Sequence, residues 1–77
     1  MPTDSDVVET AADAAENVIF SRCDHSAVAD FDVTVTFEDD VLEVDVYLNV
    51  EDERTDEKQI ADDAALAARS AVDDLFD

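Results

Sequence analysis

The chain of 77 residues is predicted to be an α+β protein: a two-layer α-β-β-α unit, with two helices packed on one face of an antiparallel β-hairpin. Three observations predict this. Apolar residues recur at helical spacing near both ends. They alternate strictly in two central runs. No Gly-, Pro- or Ser-rich linker interrupts the chain. Residues 1–77 therefore read as one domain, because so short a chain cannot build two cores.

The first helix is expected over residues 5–21. Thr3, Asp4, Ser5 and Asp6 all offer N-cap oxygens, and Thr3-x-x-Asp6 and Asp6-x-x-Glu9 both fit a box-like pattern. Val8, Ala11, Ala12, Ala15, Val18 and Ile19 share one stripe, which Val7 and Ala14 widen. Glu9, Asp13, Glu16 and Asn17 face outward. Residues 22–30 show no period and read as a loop.

Phe31 to Phe37 is the first strand. Phe31, Val33, Val35 and Phe37 alternate with Asp32, Thr34 and Thr36. Leu42 to Val50 is the second, with Leu42, Val44, Val46, Leu48 and Val50 on one face and Glu43, Asp45, Tyr47 and Asn49 on the other. A turn centred on Asp39-Asp40 sets Phe37 opposite Leu42, Val35 opposite Val44, Val33 opposite Val46 and Phe31 opposite Leu48. Every such pair joins two inward residues, so register and pattern agree. The turn lacks the usual Gly, and Asp tolerates positive φ better than most residues.

The second helix is expected from Asp56 to Phe76, with Thr55 as N-cap. Ile60, Ala61, Ala64, Ala67, Ala68, Ala71, Val72 and Leu75 form its apolar face, and Ala65 and Phe76 its margin. Asp62, Asp63, Ser70, Asp73 and Asp74 lie opposite, and Leu66 falls among them. Lys58 and Arg69 are nearly aligned on this helix and Arg54 precedes it, a sparse basic stripe whose expected use is intrahelical pairing with Asp62 or Asp73. A two-stranded hairpin is a poor sheet with two open edges. Completion by a homodimer, or by a heterodimer with a related small subunit, is therefore expected.

Composition narrows the function. Sixteen Asp and seven Glu stand against three Arg and one Lys, a formal net charge of −19, with twelve Ala and eleven Val. This resembles the cytosolic proteins of extreme halophiles. Molar salt shortens the Debye length to ~3 Å and screens self-repulsion, so the fold is expected to depend on salt. The acids are spread along the whole chain, which favours a solvated surface over a nucleic-acid mimic. The absence of Gly excludes P-loops and dinucleotide fingerprints. No apolar run approaches the ~18–20 residues that span a bilayer. The acidic start, Met-Pro-Thr-Asp-Ser-Asp, does not resemble a signal peptide. A cytoplasmic protein without membrane association is expected.

Candidate chemistry is sparse. Cys23 and His25 are the sole soft or switchable ligands, and Cys-x-His lacks the further ligands of a zinc site and the third group of a catalytic triad. Cys23 reads as a small apolar residue at the helix end. Asp39/Asp40, Asp62/Asp63 and Asp73/Asp74 are acid pairs that composition alone explains. No catalytic, cofactor-binding or metal site and no small-molecule substrate is expected, and the chain does not read as an enzyme. The acidic coat is interrupted at Tyr47, Leu66 and Arg69, and these are the interface candidates. Tyr47 suits partner anchoring or base stacking.

Val7-Val8-Glu9-Thr10-Ala11-Ala12, Val33-Thr34-Val35-Thr36-Phe37-Glu38-Asp39, Leu42-Glu43-Val44-Asp45-Val46 and Ile60-Ala61-Asp62-Asp63-Ala64-Ala65 resemble a family of small archaeal proteins of unknown function seen in haloarchaea. More distantly, the helix-hairpin-helix plan is similar to the small dimerising subunit of the KEOPS complex, which makes threonylcarbamoyladenosine in tRNA. Asp39-Asp40 departs from the Gly common in that hairpin, and Arg69-Ser70 is a loose echo of its last helix. The resemblance implies a non-catalytic small subunit or accessory factor of a cytosolic complex, with indirect tRNA association. A stand-alone RNA-binding domain, using the outer hairpin face around Thr34, Thr36 and Tyr47, is the alternative expectation.

Overall fold

A computed structural model describes residues 2–24, 26–51 and 55–77. The order is α1 (Asp4–Arg22), β1 (Val28–Glu38), β2 (Val41–Val50) and α2 (Glu57–Phe76). The two strands form one antiparallel sheet, and the expected α-β-β-α class is the one observed.

Helix α1 starts where the cap chemistry places it. The Asp6 N–H donates to Thr3 Oγ1 (3.1 Å) and the Thr3 N–H to Asp6 Oδ2 (3.0 Å). Of the two box-like patterns, the one anchored on Thr3 forms, satisfying donors that no intrahelical carbonyl reaches. Helix α2 corrects an expectation: its N-cap is Asp56, not Thr55. The Asp56 carboxylate accepts from the Gln59 N–H (3.1 Å), and a negative charge suits a helix N-terminus.

The hairpin register matches the expected one at Phe31–Leu48, Val33–Val46, Val35–Val44 and Phe37–Leu42. Asp39 and Asp40 both have positive φ, 52° and 63°. Positive φ at both central residues is the type I′ signature, whose twist matches that of the flanking strands. Strand β1 starts at Val28, not Phe31. The register shifts between Val28 and Asp30, where Val28 faces Val50 and Asp30 faces Asn49. An irregularity there hides the strand from any search for alternation.

The core lies where the helices meet. Val7, Ala11, Ala15 and Ile19 of α1, with Ile60, Ala64, Ala68 and Val72 of α2, are buried. Each set steps by four residues along one ridge, and the alanines permit close approach of the two axes. Val7 is thus central in α1 rather than marginal, while Val8, Ala12 and Val18 are half-buried. Arg22 at the end of α1 meets Asp63 near the start of α2, Nη1 to Oδ2 at 2.6 Å, so the helices run antiparallel. Two expectations change here: Arg22 belongs to α1, not to the loop, and Asp63 faces α1, not solvent. Phe20 stacks edge-on against Phe31 with ring centroids 5.1 Å apart. Phe37 lies 6.0 Å from Phe76, so each end of the sheet is tied to a helix end.

Candidate interaction surface

Coverage of the sheet is uneven. On its inner face Leu48 and Val50 are buried, whereas Phe31, Val33, Val35, Phe37, Leu42, Val44 and Val46 are half-buried. Two helices lie over two strands, and among the described residues no third strand flanks either one. Each strand therefore keeps one row of backbone donors and acceptors without a sheet partner.

Helix α2 has two flanks. Asp63 marks the one beside α1 through its pair with Arg22. The opposite flank stands over the outer edge of β2. There Val44, Asp62, Leu66 and Arg69 line an open depression of about 420 Å³. A second depression of about 420 Å³ continues it past Arg69 to Val41, Leu42 and Asp73. The two share Arg69, so they form one trough along β2 and α2. Its rim is apolar at Leu66, 64% exposed, and at Val41, 58% exposed.

The structure thus brings together two of the three expected interface residues. Leu66 and Arg69 sit in one trough. Tyr47 does not join them. It is 53% exposed on the outer sheet face, opposite Asp32, with Asp45 and Glu43 further along the same strand face. Sequence reasoning missed Val41 and Phe76 as exposed apolar residues, the latter 49% exposed. Val41 was detectable, since it sits on the polar side of the β2 alternation. Phe76 sits at the margin of the α2 apolar face and packs beside Phe37, so helical spacing alone did not decide its exposure.

The expected intrahelical pairing of Lys58 and Arg69 with Asp62 or Asp73 is not observed among the described residues. Among the described residues the ion pair is Arg22–Asp63, with Asp63 also accepting from Gln59 Nε2 at 3.0 Å. In Lys58–Asp62 and Arg69–Asp73 the base precedes the acid by four residues, the weaker order on a helix.

Cys23 is buried at the C-cap of α1, where its N–H donates to the Ile19 carbonyl at 3.0 Å. It adjoins a depression of about 230 Å³ bounded by Arg22, Asp24 and Thr55. His25 and Arg54 lie outside the described residues. Among the described residues no three His, Cys, Asp or Glu side chains are grouped to hold a metal ion. No helix among them is long and apolar enough to cross a membrane.

Fold and surface together define a small helix-hairpin-helix protein with an open-edged sheet and an uncovered trough beside it. Residues 4–75 match the family described as protein of unknown function (DUF3194), and the chain belongs to that family. An uncharacterized protein of Natronomonas pharaonis is 53% identical over 76 residues, spanning 99% of this chain and 90% of the relative. The solution structure of the hypothetical protein mth677 from Methanothermobacter thermautotrophicus is similar in fold. Its TM-score is 0.69 at 26% identity, over 99% of this chain and 90% of that one.

Proposed function

We propose that this protein is a non-catalytic interaction module, a small subunit or accessory factor of a cytosolic complex, which completes its sheet with a partner. The observation that carries this reading is the half-exposed inner face of the hairpin beside a free β2 edge. An added strand would pair with backbone groups that lack sheet partners, and its inward side chains would cover Val44 and Leu42. The resemblance of the helix-hairpin-helix order to the small dimerising subunit of KEOPS supports that tRNA-modifying assembly as the complex. The Natronomonas relative supports a halophilic setting.

RNA binding by the outer face is the second reading, favoured by the exposure of Tyr47. Asp32, Glu43 and Asp45 on that face would repel phosphates, so the protein partner is preferred. Affinity capture from a high-salt lysate, with and without nuclease, tests the choice. Co-purification of a defined small protein that survives nuclease is expected. Recovery of RNA alone would overturn the reading.

A further inference from the structure

Helix α2 carries a charge pattern on its outer flank that is its own complement. Lys58, Asp62, Arg69 and Asp73 recur there in the order basic, acidic, basic, acidic, with Leu66 between the inner two. Asp62, Leu66 and Arg69 line one depression, and Arg69 and Asp73 the next. Reversed end to end, the pattern sets every base against an acid. The midpoint of Lys58 and Asp73 coincides with that of Asp62 and Arg69, and Leu66 lies beside it. Neither Lys58 nor Arg69 forms an ion pair within the chain among the described residues. In a protein of net charge −19, two cations with no ion-pair partner among the described residues are otherwise unexplained.

From this pattern we infer that the α2–β2 trough receives a second copy of this chain. The two α2 helices cross antiparallel about a two-fold axis beside Leu66 and Val44. The inference rests on the interaction-module reading and names the partner. A two-fold interface requires that if one residue meets another, the reciprocal contact also forms. Here Arg69 meets the copy's Asp62 and Lys58 meets the copy's Asp73, each twice. The geometry is consistent. At about 1.5 Å rise per residue, Asp62 lies about 6 Å to one side of Leu66 and Arg69 about 4.5 Å to the other. Leu66 packs on its symmetry mate at the centre, and the free edges of the two β2 strands come side by side below. Two flanks of uniform negative charge would repel, so the two cations decide whether a copy can dock.

The test exchanges charges in the full chain. Lys58→Asp/Arg69→Asp makes the flank wholly acidic, and Asp62→Lys/Asp73→Lys makes it wholly basic. Association is measured by sedimentation equilibrium at the lowest KCl that holds the fold by circular dichroism. The wild type is expected to dimerise, each double variant to bind itself at least about tenfold more weakly, and an equimolar mixture to recover a dimer. A second variant keeps the test independent of these charges. Leu66→Cys should form a covalent dimer under mild oxidation, whereas Thr34→Cys on the outer face should not. A monomeric wild type, variants that self-associate like the wild type, a mixture that stays monomeric, or failure of Leu66→Cys to cross-link would each overturn the inference. A monomer that still captures a different protein from lysate would overturn this partner and leave the module reading standing. Capture of RNA alone would remove both.

Discussion

Ile19→Ala and Leu66→Ala remove the same three carbons from opposite environments. Ile19 is fully buried, at 0% exposure, between the two helices and the sheet, whereas Leu66 is 64% exposed. At about 0.8 kcal/mol per buried carbon, Ile19→Ala loses about 2.4 kcal/mol of transfer energy. The cavity left between two rigid helices raises the cost to about 3–4 kcal/mol. For Leu66→Ala only about a third of that area is withdrawn from water and no cavity forms, so the cost is under about 1 kcal/mol. A domain of this length has about 4–12 kcal/mol of stability in all, so the first substitution removes a large share. Urea denaturation followed by circular dichroism in molar KCl is the assay. Urea is uncharged, and the salt suppresses the repulsion of the acidic coat. With a slope of about 1 kcal/mol per molar urea, the Ile19→Ala midpoint should fall by about 3 M. Dilute protein keeps association from contributing to either value. Equal losses for the two variants, or a loss under about 1 kcal/mol at Ile19, would refute the placement of the core at the helix–helix contact.

Other outcomes follow from the same structure. Asp40→Gly should stabilise the fold by about 0.5–1 kcal/mol, because Asp40 holds φ at 63° where Gly is unhindered; a loss in melting temperature would contradict the turn geometry. Thr3→Ala should cost about 1 kcal/mol by dismantling the capping box of α1, read by thermal denaturation. A double-mutant cycle on Arg22 and Asp63 should give a coupling under about 1 kcal/mol, since the Arg22 side chain is 51% exposed. Circular dichroism across a KCl titration should show the fold consolidating as salt rises, given −19 charges on 77 residues. Full cooperative structure in dilute buffer would contradict that.

Strand register is legible in the sequence alone, because a slip of one residue would turn Val33, Val35, Val44 and Val46 outward. The turn was legible for a related reason: two residues between paired strands demand positive φ, and Asp accepts it. Elsewhere local chemistry was ambiguous. Thr55 and Asp56 are both competent caps, and the choice fell to the carboxylate that reaches the Gln59 N–H. Val28 to Asp30 gave no strand signal, because the register shift breaks the alternation. Of the candidate surface residues, Leu66 and Arg69 share a trough while Tyr47 stands on the far side of the sheet. Spacing could flag each as an interruption in the acidic coat, but which of them adjoin depends on how α2 crosses β2.

By itself the sequence determined the number, type and order of the elements and the face each buries, since these follow from local periodicity and turn chemistry. Tertiary structure alone decided which buried row is central. Val7, Ala11, Ala15 and Ile19 became the core row because α1 must meet α2 and the sheet at once. It also decided that Arg22 reaches across to Asp63, while Lys58 and Arg69 form no ion pair among the described residues. Helix-to-helix distance is a property of packed side chains, and no periodicity along one chain encodes it.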